Sequence, residues 1–144
     1  MFPGVDLEPL RGHSWALCIR GNWHRPESIS LLEARAGVLA MRNKLRNVEN
    51  FGKRHLMLGD SMACTLAFSK GRASNFHMLS QCRRLAALSI ASGCRIHWRW
   101  LVSELNPADK ASHGGVVDGP AVRVEQYVVD NGISRNNEST SWCN

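Results

Sequence analysis

Apolar residues recur at the spacing of an α-helix in two long segments of the chain. The first helix is predicted from Ser28 to about Asn47, where one apolar stripe repeats every three or four positions through Leu31, Ala34, Val38, Met41 and Leu45. The second is predicted from Phe76 to Ser92, and Gly93 follows it as the expected C-terminal cap. Each segment can therefore contribute one apolar face to a common core.

Three shorter segments have the patterns of strands. Trp15–Ile19 is a brief apolar run that ends before a Gly-Asn turn signal. Leu56–Leu58 is continuously apolar, which predicts a central strand buried on both faces. Arg95–Val102 alternates instead, so that Ile96, Trp98, Trp100 and Val102 share one face while Arg95, His97 and Arg99 share the other. The face with both tryptophans is expected in the core.

The remaining segments connect these elements. Asp60 and Ser61 are expected to end the second strand and begin a short helix, which a basic loop at 69–74 follows. Asn106 is expected to cap a final short helix. The resulting order of strands and helices predicts an α/β fold, with a mixed central sheet that contains parallel pairs and is flanked by helices. Residues 1–13 are expected to be an irregular lead-in and 114–144 a disordered tail.

The charge of the chain indicates a class of binding partner. The formal net charge is +6, and Arg supplies most of the 18 basic residues. Arginine suits phosphate oxygens, so nucleic acid is the favoured partner, although a merely soluble basic protein has the same composition. No apolar run has membrane-spanning length and the first residues lack signal-peptide features, so an intracellular location, cytoplasmic or nuclear, is expected. Cys64, Cys82 and Cys94 are expected as reduced core residues, without zinc.

Three acidic residues stand at the edges of predicted elements in this basic chain. Glu33 lies near the start of the first helix, Asp60 ends the second strand, and Asp109 begins the last helix. In α/β sheets the active sites lie where strands end and helices begin, so the three carboxylates could converge. Converged carboxylates repel one another, and a divalent cation relieves that repulsion. The pattern is consistent with a magnesium site facing a polyanion.

A purely structural explanation of the same acids is about equally good from composition alone. Ser30 and Glu33 fit a capping box, and Asp109 lies three residues after the expected cap Asn106. Asp60 could cap the short helix that follows it. Each acid alone therefore has a structural role available, and only their joint placement favours chemistry.

Four motifs in order resemble the ribonuclease H domain that follows reverse transcriptase in retrotransposon polyproteins, most closely the tyrosine-recombinase (DIRS-like) group. The resemblance covers roughly residues 14–113, and the motifs lie at about the family's spacing. The motifs are Ile29-x-x-Leu32-Glu33-Ala34-Arg35-Ala36, Leu58-x-Asp60-Ser61-x-Ala63, Ser69-Lys70-Gly71-Arg72 and Val102-Ser103-Glu104-x-Asn106-Pro107-Ala108-Asp109.

The resemblance implies a ribonuclease H-like fold that binds RNA–DNA hybrids and hydrolyses the RNA strand with two Mg²⁺ (or Mn²⁺) ions. Glu33, Asp60 and Asp109 match the family's metal-binding catalytic acids. Lys70, Arg72 and Arg35 are expected at phosphates on the basis of charge. An upstream reverse transcriptase domain is an expected partner, and a membrane is not.

The chain departs from the family at one catalytic position. The family's first strand carries a fourth acid that bridges both metal ions, and Trp15–Ile19 contains none, so this strand could be truncated. Whether the chain is an active enzyme therefore stays open. The alternatives are a catalytically decayed nucleic-acid-binding module of the same fold and a non-functional polyprotein fragment.

Overall fold

The computed structural model describes residues 15, 17–20, 23, 26–109 and 125–126 of the 144-residue chain. Its strands are β1 (Ile19–Arg20), β2 (Arg54–Gly59), β3 (Arg95–Trp100) and β4 (Glu125–Gln126). Its helices are α1 (Ile29–Lys44), α2 (Met62–Lys70) and α3 (Phe76–Ser92), and short 3₁₀ turns occupy Val48–Asn50 and Ser103–Leu105. The expected lead-in at 1–13 lies outside these residues, as does almost all of the expected tail at 114–144.

The described strands form two parallel pairs, one joining β2 to β3 and the other joining β1 to β4. The α2 and α3 helices connect β2 to β3, as a parallel crossover requires. The predicted α/β class with parallel pairing is therefore confirmed at this level. β4 lies inside the stretch predicted as a tail.

Local signals set the ends of the helices well. The Gly93 backbone is left-handed at φ +67°, and the Asn75 side chain accepts a hydrogen bond from the Met78 amide, so α3 begins and ends as predicted. The α2 helix ends at Gly71, which has φ +65°. The α1 helix ends earlier than expected, at Lys44.

The strand predicted at Leu56–Leu58 is confirmed within β2, but the extent of the first predicted strand and the burial of the second are wrong. Trp15, Leu17 and Cys18 lie outside any strand, and Trp15 remains 42% exposed because nothing in the described chain buries its ring. Leu56 was expected to be buried on both sides, but it is 55% exposed. The helices cover only one face of the β2–β3 pair, and Leu56 points away from them.

The core lies between this covered face and the three helices. It contains Trp98 from β3 together with residues of all three helices, namely Ala34, Val38, Met41, Cys64, Ala67, Phe68, Met78, Cys82 and Leu85. The burial of Trp98 and of the three cysteines Cys64, Cys82 and Cys94 confirms two sequence expectations. Val102, expected on the buried face, follows the strand and is 37% exposed.

Gly37 brings α1 close to the sheet. A Cβ atom at position 37 would lie 2.6 Å from Cη2 of Trp98, a distance that real contacts do not reach. The Trp98 ring also packs on Phe68, with ring centroids 4.6 Å apart. The helix face that Gly37 shares with Glu33 is therefore filled by an indole at position 37.

Gly37→Ala should lower the stability of the protein although alanine is the better helix former. The clash with Trp98 should cost about 1–3 kcal/mol, against a propensity gain of about 1 kcal/mol. Thermal unfolding followed by circular dichroism measures the change. In a Trp98→Phe background, which removes the clashing atoms, the same substitution should be neutral or stabilising. Equal destabilisation in both backgrounds would contradict this packing.

Candidate functional site

Glu33 and Asp60 come together where β2 ends and α2 begins. Asp60 follows the last residue of β2, and Glu33 is the fifth residue of α1. Their carboxylates are near enough for the charge of Asp60 to raise the pKa of Glu33. Two of the three acids proposed from the sequence are thus neighbours.

Neither of these two acids caps a helix, so the structural explanation of both is wrong. The N-cap of α1 is Ser28 and not Ser30, which places Glu33 beyond the first helical turn. The N-cap of α2 is Ser61, whose hydroxyl accepts a hydrogen bond from the Cys64 amide at 3.2 Å. Helix capping therefore accounts for neither carboxylate.

The Glu33 carboxyl group is poorly solvated. Its Oε2 atom is buried and has no hydrogen-bond partner. Burial raises the pKa of Glu33 most, and the Asp60 charge raises it further, while the Ser61 side chain lowers it by hydrogen bonding. Burial, followed by the charge of Glu33, also raises the pKa of the neighbouring Cys64 thiol to about 12. That thiol remains neutral and is no nucleophile at neutral pH.

Hydrogen bonds from β3 and the turn after it hold Asp60. Trp100 Nε1 donates to the Asp60 backbone oxygen at 3.0 Å, and Ser103 Oγ lies 3.4 Å from Asp60 Oδ2. The β2–β3 register pairs Gly59 with Trp100 and so places the indole beside Asp60. The alternating pattern of β3 predicts Trp100 only as a core residue, and no sequence signal marks Ser61 and Ser103 as neighbours of the acids.

Asp109 has a different setting. Asn106 accepts a hydrogen bond from the Ala108 amide at 3.0 Å, as expected of a capping residue, and the Asp109 amide donates to the Asn106 carbonyl. The helix that would follow lies outside the described residues. Within the described ranges no three His, Cys, Asp or Glu side chains are grouped to hold a metal ion, and the convergence of Asp109 with Glu33 and Asp60 stays a prediction.

The three cations expected at phosphates divide into two kinds. Arg35 is engaged within the protein, since its Nη2 donates to Glu27 Oε1 at 2.8 Å and its Nε lies 2.8 Å from Oε2. Lys70 and Arg72 are exposed instead. The ion pair gives Arg35 a structural role, whereas Lys70 and Arg72 are available to an external anion.

Lys70 and Arg72 line an open depression of about 350 Å³ between α1, α2 and the start of α3. The caps of two long helices, Ser28 and Asn75, also lie on its wall. Helix N-termini attract anions, because their amides and the helix dipole both favour negative charge. Ser30, another wall residue, lies one turn before Glu33 on α1, although neither Glu33 nor Asp60 lines the depression.

Comparison of the chain with protein-family models, with curated proteins and with solved structures finds no match. No helix in the described part of the chain is long and apolar enough to cross a membrane.

Glu33→Gln should stabilise the folded protein near neutral pH in metal-free buffer. The folded state holds the Glu33 proton more tightly than the unfolded chain, so stability falls as the pH rises above the group's ordinary pKa of 4.5. The amide removes this loss, and the melting temperature should rise by a few degrees. The gain should vanish below that pKa, where the native carboxyl is already protonated.

Thermal unfolding as a function of pH measures this effect, and Glu104→Gln provides a control at an exposed acid. A destabilised Glu33→Gln variant at neutral pH would show that the ionised carboxylate contributes to the fold rather than opposing it.

Proposed function

We propose that the chain is a retroelement-derived ribonuclease H-like domain that binds RNA–DNA hybrids and hydrolyses the RNA strand with Mg²⁺ or Mn²⁺. The observation that carries this proposal is the meeting of Glu33 and Asp60 at the end of a parallel strand, where neither acid caps a helix. The four sequence motifs and the basic charge of the chain support the same function.

The acid pair fits a hard divalent cation. Its donors are carboxylate oxygens, and Oε2 of Glu33 is buried without a partner although a buried polar atom ordinarily has one. Glu33 and Asp60 would hold the ion, which would supply an acidified water and charge neutralisation at the scissile phosphate. Asp109 is proposed as a third ligand from the motif that contains it, without support from the described geometry.

The other residues of the site would position the substrate and the acids. Trp100 and Ser103 hold Asp60 through its backbone and its carboxylate. Lys70, Arg72 and the starts of α1 and α3 would bind a backbone phosphate in the depression. Such binding would bring the nucleic acid against α1, the helix that carries Glu33.

Asp60→Asn should abolish cleavage of the RNA strand of a labelled RNA–DNA hybrid, because it removes a charge from the metal site. Loss of such a ligand is expected to lower the rate by at least about 100-fold. The measurement is a gel assay with Mg²⁺ or Mn²⁺ titrated separately, and Glu104→Gln is the matched control. Cleavage that persists undiminished in Asp60→Asn would exclude this site.

Lys70→Gln/Arg72→Gln should weaken hybrid binding in a salt-dependent manner. Each lost phosphate contact should reduce the slope of log affinity against log salt by up to about 0.9. Fluorescence anisotropy with a labelled hybrid in EDTA measures this, and Arg83→Gln/Arg84→Gln is the charge-matched control on the exposed surface of α3. Equal losses in both double variants would show that overall charge, and not the depression, binds the hybrid.

A second candidate, a binding module that has lost catalysis, is favoured by the small number of acids. Trp15–Ile19 carries no acid, and the described residues contain no group of three potential metal ligands. In that case hybrid binding persists and Asp60→Asn strengthens it slightly, because a negative charge leaves the surface. Absence of cleavage at every metal concentration, together with salt-sensitive binding, would select this candidate.

A further inference from the structure

The β2–β3 pair has an outer face that no part of the helical layer covers. Successive strand residues point to opposite sides, and His55 and Trp98 point inward and are buried. The outward-pointing residues of β2 and β3 form the outer strand face, namely Arg54, Leu56, Leu58, Arg95, His97 and Arg99. All of these except Leu58 are exposed, and Leu58 is partly so.

The cations of the outer strand face are placed against one another. Arg54 lies directly opposite Arg95 in the parallel register, and like charges in that position destabilise a sheet. Among the described residues no carboxylate pairs with Arg54, Arg95 or Arg99, since the ion pair found there joins Glu27 and Arg35. One amino group of Arg99 donates to the Trp98 carbonyl at 2.9 Å, which leaves its other donors available.

Parallel sheets are ordinarily covered on both sides, and no described helix covers the outer face of this pair. Leu56, at the centre of β2, is 55% exposed between the cationic residues. A partner that covers this face must neutralise several positive charges and also contact an apolar side chain. An anionic polymer with apolar planar groups has that chemistry.

We propose that the outer strand face binds single-stranded nucleic acid. Arg95, His97 and Arg99 stand at alternate positions along β3, about 6.6 Å apart, and form a flat row that an extended phosphate backbone can follow. Leu56 and the His97 imidazole, which are register neighbours, offer contacts for bases. A rigid duplex is convex and would touch a flat sheet at few phosphates. The choice of nucleic acid over another polyanion rests on the proposed function.

This surface is distinct from the acid pair. Glu33 lies on α1, in the helical layer that packs on the inner face of the strands. A single strand bound outside would therefore leave the depression with Lys70 and Arg72 accessible to a hybrid. The domain would hold an unpaired strand on one side of its sheet and the hybrid on the other.

The test uses the full chain and a fluorescein-labelled oligothymidylate of roughly 20 nucleotides, longer than one 4–16-nucleotide site. Binding is followed by anisotropy in EDTA, which prevents metal-dependent cleavage. Arg95→Gln/Arg99→Gln should weaken binding about tenfold at low salt and reduce the salt slope by about 1.4, or 0.7 for each contact. Arg83→Gln/Arg84→Gln, with the same change in charge, should leave both nearly unchanged.

Arg54→Gln provides a second readout that separates binding from folding. It removes the opposed pair of like charges, so the melting temperature of the free protein should stay constant or rise by roughly 1–4 °C. Its affinity for oligothymidylate should nevertheless fall severalfold. A variant that is both less stable and weaker in binding would overturn the proposal, because the arginine would then have a structural role.

The remaining outcomes are also decisive. Equal weakening by the outer-face and α3 double variants, or no binding of oligothymidylate, overturns the proposal. The proposal is also overturned if polyglutamate displaces the labelled oligothymidylate as well as unlabelled oligothymidylate does at equal charge. That result would indicate an acidic protein partner. Cleavage is assayed separately on the hybrid. If the protein cleaves nothing but only the outer-face variants weaken oligothymidylate binding, the outer strand face remains the proposed binding surface. If the outer-face variants bind normally, the cleavage result is unaffected.

Discussion

The contact between Trp98 and Gly37 determines how closely the helical layer approaches the sheet. The indole occupies the volume that any side chain at position 37 would need, and it packs against Phe68 on α2. Three elements, α1, α2 and β3, therefore meet at one ring. Because interiors are close-packed, a shift of this ring would move α1 relative to the strands. Glu33 lies one turn before Gly37, so its depth in the protein depends on the same contact.

That depth has an energetic consequence for the site. A carboxyl group with a buried, unpartnered oxygen beside a second acid opposes folding when it is ionised. Neither acid is needed to begin a helix there, since Ser61 caps α2 by accepting a hydrogen bond and Ser28 occupies the N-cap position of α1. The acid pair is therefore a local cost to stability that the fold itself does not require, and such costs are typical of functional sites.

Local signals made much of the fold predictable. They did not predict which side chains from different elements contact one another. The ends of α3 follow from Asn75 and Gly93, which act within a single turn of backbone. The cap of α1 was misassigned because Ser28 and Ser30 are equally good candidates in sequence, and only the backbone distinguishes them. The contact of Trp100 with Asp60 depends on the β2–β3 register, and the Arg35–Glu27 ion pair depends on the path of the chain before α1. Both contacts depend on the tertiary structure, which the periodicity of the sequence does not specify.

The small number of acids also bears on how a metal ion would be retained. Magnesium is commonly bound by one or two carboxylates together with waters and substrate phosphates, rather than by a cage of protein ligands alone. Glu33 and Asp60 provide two such groups, and the depression with Lys70 and Arg72 is bounded by α1, the helix that carries Glu33. A phosphate oxygen of a bound nucleic acid would supply a further ligand, so the ion and the nucleic acid would bind cooperatively. Under the proposed function, two carboxylates alone would bind the metal ion more weakly in the free protein than in its complex with nucleic acid.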